Sequence, residues 1–190
     1  MDYLTKEMDP KIAMIIDKYG IRLVRLTEND IELVRNWRND PKIVQYMAFR
    51  DYITPEMQKK WFDSVNNENN YFFLIEHEGA NVGMTDIKKI DYSARSAELG
   101  IFIYDDRYLN SILPYQVILT TLEFAFQDLG LTAIYSHILK TNLRAIRFNI
   151  SLGFEIQSNQ EHLEHQLYML TKEAFEEKSK KIRDTILKLI

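Results

Sequence analysis

The sequence predicts one α/β (α+β) domain with a mixed, mostly antiparallel central sheet flanked by helices. Residues 71–76, 82–90 and 97–103 read as consecutive strands joined by short polar turns, as in an antiparallel meander. Segments with the apolar spacing of helices lie on both sides of this meander, which favours helices packed on a sheet over a doubly wound arrangement. The chain has 190 residues, enough for one core and too few for two ordinary domains.

The first segment has the apolar spacing of a helix. Its apolar positions are Leu4, Met8, Ile12, Ile15 and Ile16, and Gly20 is a suitable helix end. We therefore expect a helical extension over residues 1–20. Apolar and basic residues then alternate from 21 to 26, which predicts the first strand of a domain that runs to residue 170.

Three helices are predicted before the meander. Thr27 and Asp30 offer a helix start ahead of an apolar run that ends near Trp37. A short helix is expected over 41–47. Thr54 followed by proline is typical of the start of a third helix, which extends to about residue 65.

After the meander, helices and strands alternate. The spacing predicts helices over 112–129 and 142–152, each followed by glycine, and strands at 133–139, 154–157 and 165–170. A charged helix is expected over 171–190. Like the N-terminal extension, it can cap the core or pair with a second subunit, so a homodimer is a possible assembly.

Composition excludes several classes of protein and site. The net charge of −4 disfavours phosphate backbones, so we expect no nucleic-acid partner. Without cysteine there is no disulfide, thiolate metal site or cysteine nucleophile. Charged residues interrupt the first 20 positions, so we expect neither a signal peptide nor a membrane span, and a cytoplasmic protein. The spacing of His162, Glu164 and His165 fits no helical zinc motif, and no metal is predicted.

Two segments carry a resemblance to a known family. The run from Asn142 to Phe154, NLRAIRFNISLGF, and the strand AELGIFI at 97–103 resemble the GCN5-related N-acetyltransferases, especially the branch with ribosomal-protein and nucleotide-sugar enzymes. The resemblance covers about residues 21–170. It implies that acetyl-CoA is the acyl donor and that a small-molecule amine is the acceptor.

The resemblance also implies where the cofactor binds. In such a fold two neighbouring strands separate, and the pantetheine arm of CoA enters the gap and bonds to the free strand edge. Ile101, Phe102 and Ile103 would form that edge, where one amide can stabilise the oxyanion. A further cofactor contact is expected from the start of the 142–152 helix, at Asn142, Arg144 and Ala145.

The loop expected to hold the pyrophosphate departs from the family pattern. Leu109, Ile112 and Pro114 occupy the places of one polar or basic residue and two small residues. Isoleucine limits close approach of the backbone, and proline removes an N–H donor. Side chains can compensate in part, and these are Arg107, Asn110 and Ser111. The alternative interpretation is a plain helix start, with Ser111 before the helix and proline in its first turn.

Glu98 and Asn149 are the candidate catalytic residues. An amine must lose a proton to attack a thioester, and family members often hold a carboxylate at the position of Glu98. Without the resemblance, the preferred interpretation of Glu98 is a surface carboxylate paired with Arg95. Asn149 stands where the family usually has the tyrosine that protonates the leaving thiolate. Asparagine is no acid at neutral pH, although it can donate a hydrogen bond to sulfur.

Acceptor contacts are expected from the first helix and from a later strand. The segment RNWRND, from Arg35 to Asp40, resembles the first-helix region of enzymes that act on nucleotide-linked sugars. A guanidinium matches phosphate oxygens well, so an amino sugar carried on a nucleotide is the expected acceptor. The candidate contacts are Arg35, Arg38, Asn39, Met47 and His137. For the arginines the alternative is an ordinary charged helix end, and for His137 a structural role.

Two other functions stay open at this stage. One is acetylation of a protein N-terminus, which would need an open groove. The other is a non-catalytic relative that has lost CoA binding and acts through its terminal helices; the altered loop and Asn149 favour it, while Glu98 and the 142–154 segment oppose it.

Overall fold

The computed structural model describes residues 14–190. Over these residues, eight strands form a central sheet. The strands are β1 Ile15–Lys18, β2 Ile21–Arg25, β3 Tyr71–His77, β4 Ala80–Asp91, β5 Ser96–Ile103, β6 Ala133–Leu139, β7 Glu155–Ile156 and β8 His165–Thr171. Their order in the sheet is β1-β2-β3-β4-β5-β6-β8-β7, and every neighbouring pair is antiparallel except β5 and β6. The predicted fold class is confirmed.

Helices cover both faces of the sheet. They are α1 Ile31–Asn39, α2 Pro41–Val44, α3 Pro55–Val65, α4 Leu113–Glu123, α5 Leu143–Leu152 and α6 Lys172–Ile186. One further turn at Phe124–Asp128 extends α4 with π-helical bonding. The helices predicted after residue 26 are therefore present, although the second of them ends at Val44 and not at Met47.

The register assigns each strand residue to one of two faces. On one face α1 and α3 pack over the sheet through Val34, Trp37, Phe62, Phe72 and Met84. The other face is buried under α4, α5 and α6, where the core includes Leu119, Ile134, Leu152, Leu170 and Phe175. We call the first of these the acceptor face, defined by α1, α3 and the β4 and β5 side chains beneath them.

The N-terminal segment corrects one prediction. Ile15–Lys18 is a strand and not the end of a helix, and it pairs with Ile21–Val24 of β2. Tyr19 and Gly20 form a two-residue turn with φ of 55° and 77°, the left-handed values that this hairpin type requires. Pairing with β2 outweighs the weak helical spacing of two adjacent isoleucines. The rest of the predicted helix lies outside the described residues.

The last helix packs against the core of its own chain. Phe175 and Ile186 of α6 are buried. Glu123 of α4 accepts hydrogen bonds from Arg183 of α6 at 2.9 Å and from Tyr19 of the N-terminal turn at 2.8 Å. This buried carboxylate therefore ties the first hairpin and the last helix to α4.

The sheet opens between β5 and β6. The parallel ladder joins only Ser96–Glu98 to Ala133–Tyr135. Beyond it β5 stays paired with β4, and β6 with β8. Within residues 14–190, the second half of β5 thus has a strand on one side only. We call this gap, bordered by residues 100–103 of β5 and 136–139 of β6, the opening.

Candidate active site

The free edge of β5 presents the backbone groups of alternate residues. The amide of Tyr104 donates to Val82 of β4 at 2.8 Å, so even-numbered residues of this stretch direct their backbone groups to β4. Ile101 and Ile103 therefore direct theirs into the opening. The backbone of Phe102, the third residue expected at this edge, faces β4, and its ring packs edge-on against Trp37 at 6.1 Å.

Glu98 lies where the opening begins. It is the last residue of β5 paired with β6, opposite Tyr135, and its side chain is 20% exposed on the acceptor face. Oε1 accepts from Lys89 Nζ at 2.8 Å and lies 3.9 Å from His137 Nδ1. Arg95 is not its partner, since the Nε of Arg95 donates to the carbonyl of Gly130.

Two charged residues of β4 stand beside Glu98 on the acceptor face. Lys88 lies directly opposite Glu98 in the ladder, and its Nζ donates to Asp86 Oδ1 at 2.8 Å. Burial by itself lowers the pKa of Lys88, but the charge and hydrogen bond of Asp86 and the charge of Glu98 outweigh it and raise that pKa above its usual value. The face therefore carries a protonated lysine between two carboxylates.

Arg38 of α1 points at the same group of charges. Its Nε is buried and has no hydrogen-bond partner among the described residues. Burial lowers the pKa of Arg38, and the charge of Asp86 offsets only part of that effect. A buried N–H donor without a partner is costly unless another molecule supplies the acceptor.

The other candidates on α1 hold a loop in place. Asn39 donates to the carbonyl of Ile53 at 2.9 Å and accepts from its amide at 2.8 Å. Arg35 binds Glu32 and also donates to Tyr52 Oη and the Ile53 carbonyl, each at 3.2 Å. Met47 accepts from Arg50 through its carbonyl at 3.1 Å. The structure thus brings Arg38, Glu98 and His137 together, while Arg35 and Asn39 fix the 47–53 loop.

The start of α5 is capped by its own first residues. Asn142 Oδ1 accepts from the amide of Ala145 at 3.1 Å. The guanidinium of Arg144 is exposed and lies 5.9 Å from the ring of Tyr46. Asn149 is buried, and its Nδ2 donates to the carbonyl of Ala145 at 2.8 Å. One of its two amide hydrogens is therefore already used within the helix.

The start of α4 has few free donors. Ser111 Oγ accepts from the amide of Leu113 at 3.1 Å, Pro114 has no N–H, and the amide of Tyr115 bonds to the Ile112 carbonyl. The amides of Asn110 and Ile112 find no acceptor among the described residues. Arg107 is exposed and bound to Asp105 at 2.6 Å, which raises the pKa of Arg107 and lowers that of Asp105. This agrees with the helix-cap interpretation.

An acyl-CoA molecule fits the two ends of this site unequally. The free edge at Ile101 and Ile103 suits an extended pantetheine arm, which carries amide groups and can pair as an added strand. At α4 two main-chain amides and the side chain of Asn110 remain for the phosphates, because the Ser111 hydroxyl already donates to the carbonyl of Tyr108 at 2.8 Å. The residues therefore fit the cofactor, with weaker provision at its phosphate end.

Sequence reasoning missed Asp86, Lys88 and Lys89. All three lie in a strand that otherwise consists mainly of apolar residues. An aspartate inside such a strand indicates a possible functional site, because a buried carboxylate requires partners. Their meeting with Glu98 depends on the β4–β5 register, which the sequence alone does not supply.

No helix in residues 14–190 is long and apolar enough to cross a membrane. Over the same residues, no group of three or more histidine, aspartate and glutamate side chains is arranged to hold a metal ion.

Comparison with known proteins identifies the family. The model of the acetyltransferase (GNAT) domain matches residues 21–155. A spermidine N(1)-acetyltransferase of Escherichia coli K12 is 23% identical over 77% of this chain and 74% of its own length. Acetyltransferase PseH of Campylobacter jejuni strain 81-176 is 24% identical over 76% of this chain and 91% of its own.

Solved structures share the fold. FdhC, described as a nucleotide-linked sugar GNAT, superimposes with a TM-score of 0.74 over 90% of this chain and 98% of its own, at 18% identity. Spermidine N-acetyltransferase of Vibrio cholerae, solved with CoA and spermine, gives a TM-score of 0.70 over 82% and 98%, also at 18% identity. The chain therefore belongs to the GNAT acetyltransferase family and uses acetyl-CoA as its acetyl donor.

Proposed function

We propose that this enzyme acetylates a primary amine on a nucleotide-linked sugar, by direct transfer within a ternary complex. The observation that carries the proposal is the buried Nε of Arg38 on the acceptor face, which has no hydrogen-bond partner within residues 14–190. A sugar nucleotide brings phosphate and hydroxyl oxygens that such a donor can bind. The printed description of FdhC supports the same substrate class.

A polyamine fits this face less well. Arg38 and Lys88 both lie near the centre of the acceptor face, and Lys89 donates a hydrogen bond to Glu98 from the edge of that face. A spermidine molecule would bring further positive charge beside these cations, which is unfavourable where water is largely excluded. The relatives include spermidine acetyltransferases, so the cations on this face are the feature that favours a sugar nucleotide over a polyamine as the acceptor.

An open cavity gives the nucleotide a place to bind. It has a volume of ≈ 310 Å³ and lies between the end of α1, α2 and the 50–52 loop, lined by Asn39, Pro41, Val44, Gln45, Arg50, Asp51 and Tyr52. Tyr52 is 68% exposed and offers a ring for stacking. Arg50 supplies a cation in the same wall.

Glu98 and the amide of Ile101 have separate roles in the proposed acetyl transfer. Bound acetyl-CoA supplies a thioester carbonyl that accepts the lone pair of the amine. Glu98 removes the proton that the amine must lose, and the amide of Ile101, on the free edge, donates to the carbonyl oxygen as negative charge develops. Asn149 has no proton to release, so solvent returns a proton to the departing sulfur.

A substrate panel tests the proposal. Release of the CoA thiol is followed with UDP-glucosamine, dTDP-4-amino-4,6-dideoxyglucose, spermidine and a peptide with a ribosomal-protein N-terminus. We expect turnover with a nucleotide-linked amino sugar at a kcat/KM at least tenfold above that with spermidine. Preference for spermidine or for the peptide would overturn the proposal.

Arg38→Ala sharpens the test. Loss of one charge-assisted contact should raise KM for the sugar nucleotide by roughly tenfold or more and leave KM for acetyl-CoA unchanged. Arg22→Ala is the matched control, because Arg22 pairs with Glu76 on the same face of the sheet, far from the opening. An equal effect of both substitutions would contradict a role for Arg38 in binding the acceptor.

A further inference from the structure

Asp86 is a buried carboxylate that the roles assigned above leave unused. It lies on β4, directly opposite Gly100 of β5, and is only 5% exposed. Gly100 is the first residue of the edge that borders the opening. Asp86 therefore stands next to the place where amine and thioester must meet.

The carboxylate leans across β5 over Gly100. A Cβ atom on Gly100 would lie 2.5 Å from Asp86 Oδ2 and 2.9 Å from Oδ1, well inside contact distance. No side chain fits there without displacing the carboxylate. The absence of a side chain at residue 100 is thus what allows Asp86 to reach toward the opening.

One oxygen of Asp86 remains available. Lys88 donates to Oδ1, and no donor among the described residues reaches Oδ2. An ionised carboxylate has acceptor capacity on both oxygens. Arg38 is close enough for Asp86 to affect its pKa, yet the two form no ion pair in the described part of the chain, and Arg38 Nε is also unused. The face therefore offers one acceptor and one donor that do not satisfy each other.

We propose that Asp86 binds the amine of the acceptor, with Oδ2 accepting a hydrogen bond from its nitrogen above Gly100. Arg38 then donates to an oxygen next to that amine, so the fitting ligand is a primary amine flanked by oxygen, as in an amino sugar. Asp86 keeps its charge and orients the nitrogen, while Glu98 takes the proton. This deepens the proposed function, and its amine-binding part applies to any amine acceptor.

The competing explanation is that Asp86 only balances the charges of Arg38 and Lys88. In that case its loss would lower stability and affect both substrates alike. Amine binding instead predicts a selective effect on the acceptor, so the two explanations separate in the kinetics.

The test is Asp86→Asn in the full-length enzyme, with Glu76→Gln as the matched control. Glu76 is an acid on the same face, paired with Arg22 and far from the opening. We expect Asp86→Asn to raise KM for the sugar-nucleotide amine about 10- to 100-fold, and KM for acetyl-CoA less than twofold. The inhibition constants of UDP-glucose and dTDP-6-deoxyglucose, which carry hydroxyls in place of the amines, should stay within threefold.

Gly100→Ala is an independent test of amine binding by Asp86. Its methyl group displaces the carboxylate without removing it, so it should also raise KM for the amine selectively. Thermal melting of each variant shows whether it is folded.

The outcomes separate this inference from the proposed function. If spermidine is the true substrate and Asp86→Asn raises its KM, the sugar assignment fails and amine binding by Asp86 stands. If a folded Asp86→Asn variant keeps the wild-type KM for the amine that is acetylated, the inference is overturned and the proposed function stands. Lack of turnover with every amine in the panel overturns both.

Discussion

The two ends of the acetyl-CoA site are built in different ways. At the opening, the free edge of β5 follows from strand pairing, since β5 and β6 separate after Glu98. The alternation of the strand then directs the backbone groups of Ile101 and Ile103 into the gap. At α4, binding a phosphate depends on close approach to free amides. There Ser111 occupies one amide and Pro114 removes another.

The difference shows which part of such a site tolerates sequence change. A strand edge presents the same N–H and C=O groups whatever side chains the strand carries, so the site keeps its geometry at the opening, where the thioester would react. A phosphate-binding helix start relies on particular small residues, and Ile112 and Pro114 replace them here. We therefore expect chemistry typical of the family together with weakened phosphate binding.

The largest expected effect is at the reacting end. Glu98→Gln removes the proton acceptor and leaves the β5 edge in place, so kcat at neutral pH should fall by roughly 10²-fold or more, with KM for acetyl-CoA unchanged. Steady-state kinetics on the preferred amine measures both values. Wild-type turnover in this variant would exclude Glu98 as the base.

The next effect is at the phosphate end. Replacing Ile112 and Pro114 together with glycine restores one N–H donor and permits close approach, so CoA binding should tighten by about 1 to 3 kcal/mol, less the cost of added loop flexibility. Calorimetry on CoA measures the change. Binding of pantetheine, which lacks the pyrophosphate, serves as the control and should not change. Equal CoA affinity in both proteins would mean that Arg107, Asn110 and Ser111 already hold the phosphates.

The smallest effect is expected at Asn149. Its Nδ2 is bound to the Ala145 carbonyl within α5, and its side chain has no proton to release. Asn149→Ala should therefore change kcat by less than about threefold, measured by thiol release. A fall comparable to that of Glu98→Gln would show that Asn149 takes part in the chemistry.

Elements with a strong period were predictable from sequence. The strand predicted at about 133–139, after the helix stop at Gly130, is confirmed as Ala133–Leu139. The start of the chain was not, since Ile15–Lys18 owes its strand conformation to pairing across the Tyr19-Gly20 turn. Spacing alone cannot show such a partner.

The candidate site shows the same limit. The motif makes Glu98 a candidate base, but the register between β4 and β5 is what brings Asp86 and Lys88 beside it. Arg35 and Arg38 look alike in sequence, yet α1 directs Arg38 to the charged cluster and Arg35 to the carbonyl of Ile53. The different surroundings of the two arginines become visible only in the folded chain.

Titration of the wild-type enzyme with CoA and with pantetheine tests the contrast between the two ends most directly. We predict that both bind saturably and that CoA gains less than about 3 kcal/mol over pantetheine, because the pantetheine edge is intact and few phosphate donors remain. Absence of CoA binding at millimolar concentration would contradict this account. So would a much larger advantage of CoA over pantetheine, since it would require a phosphate site that the start of α4 does not provide.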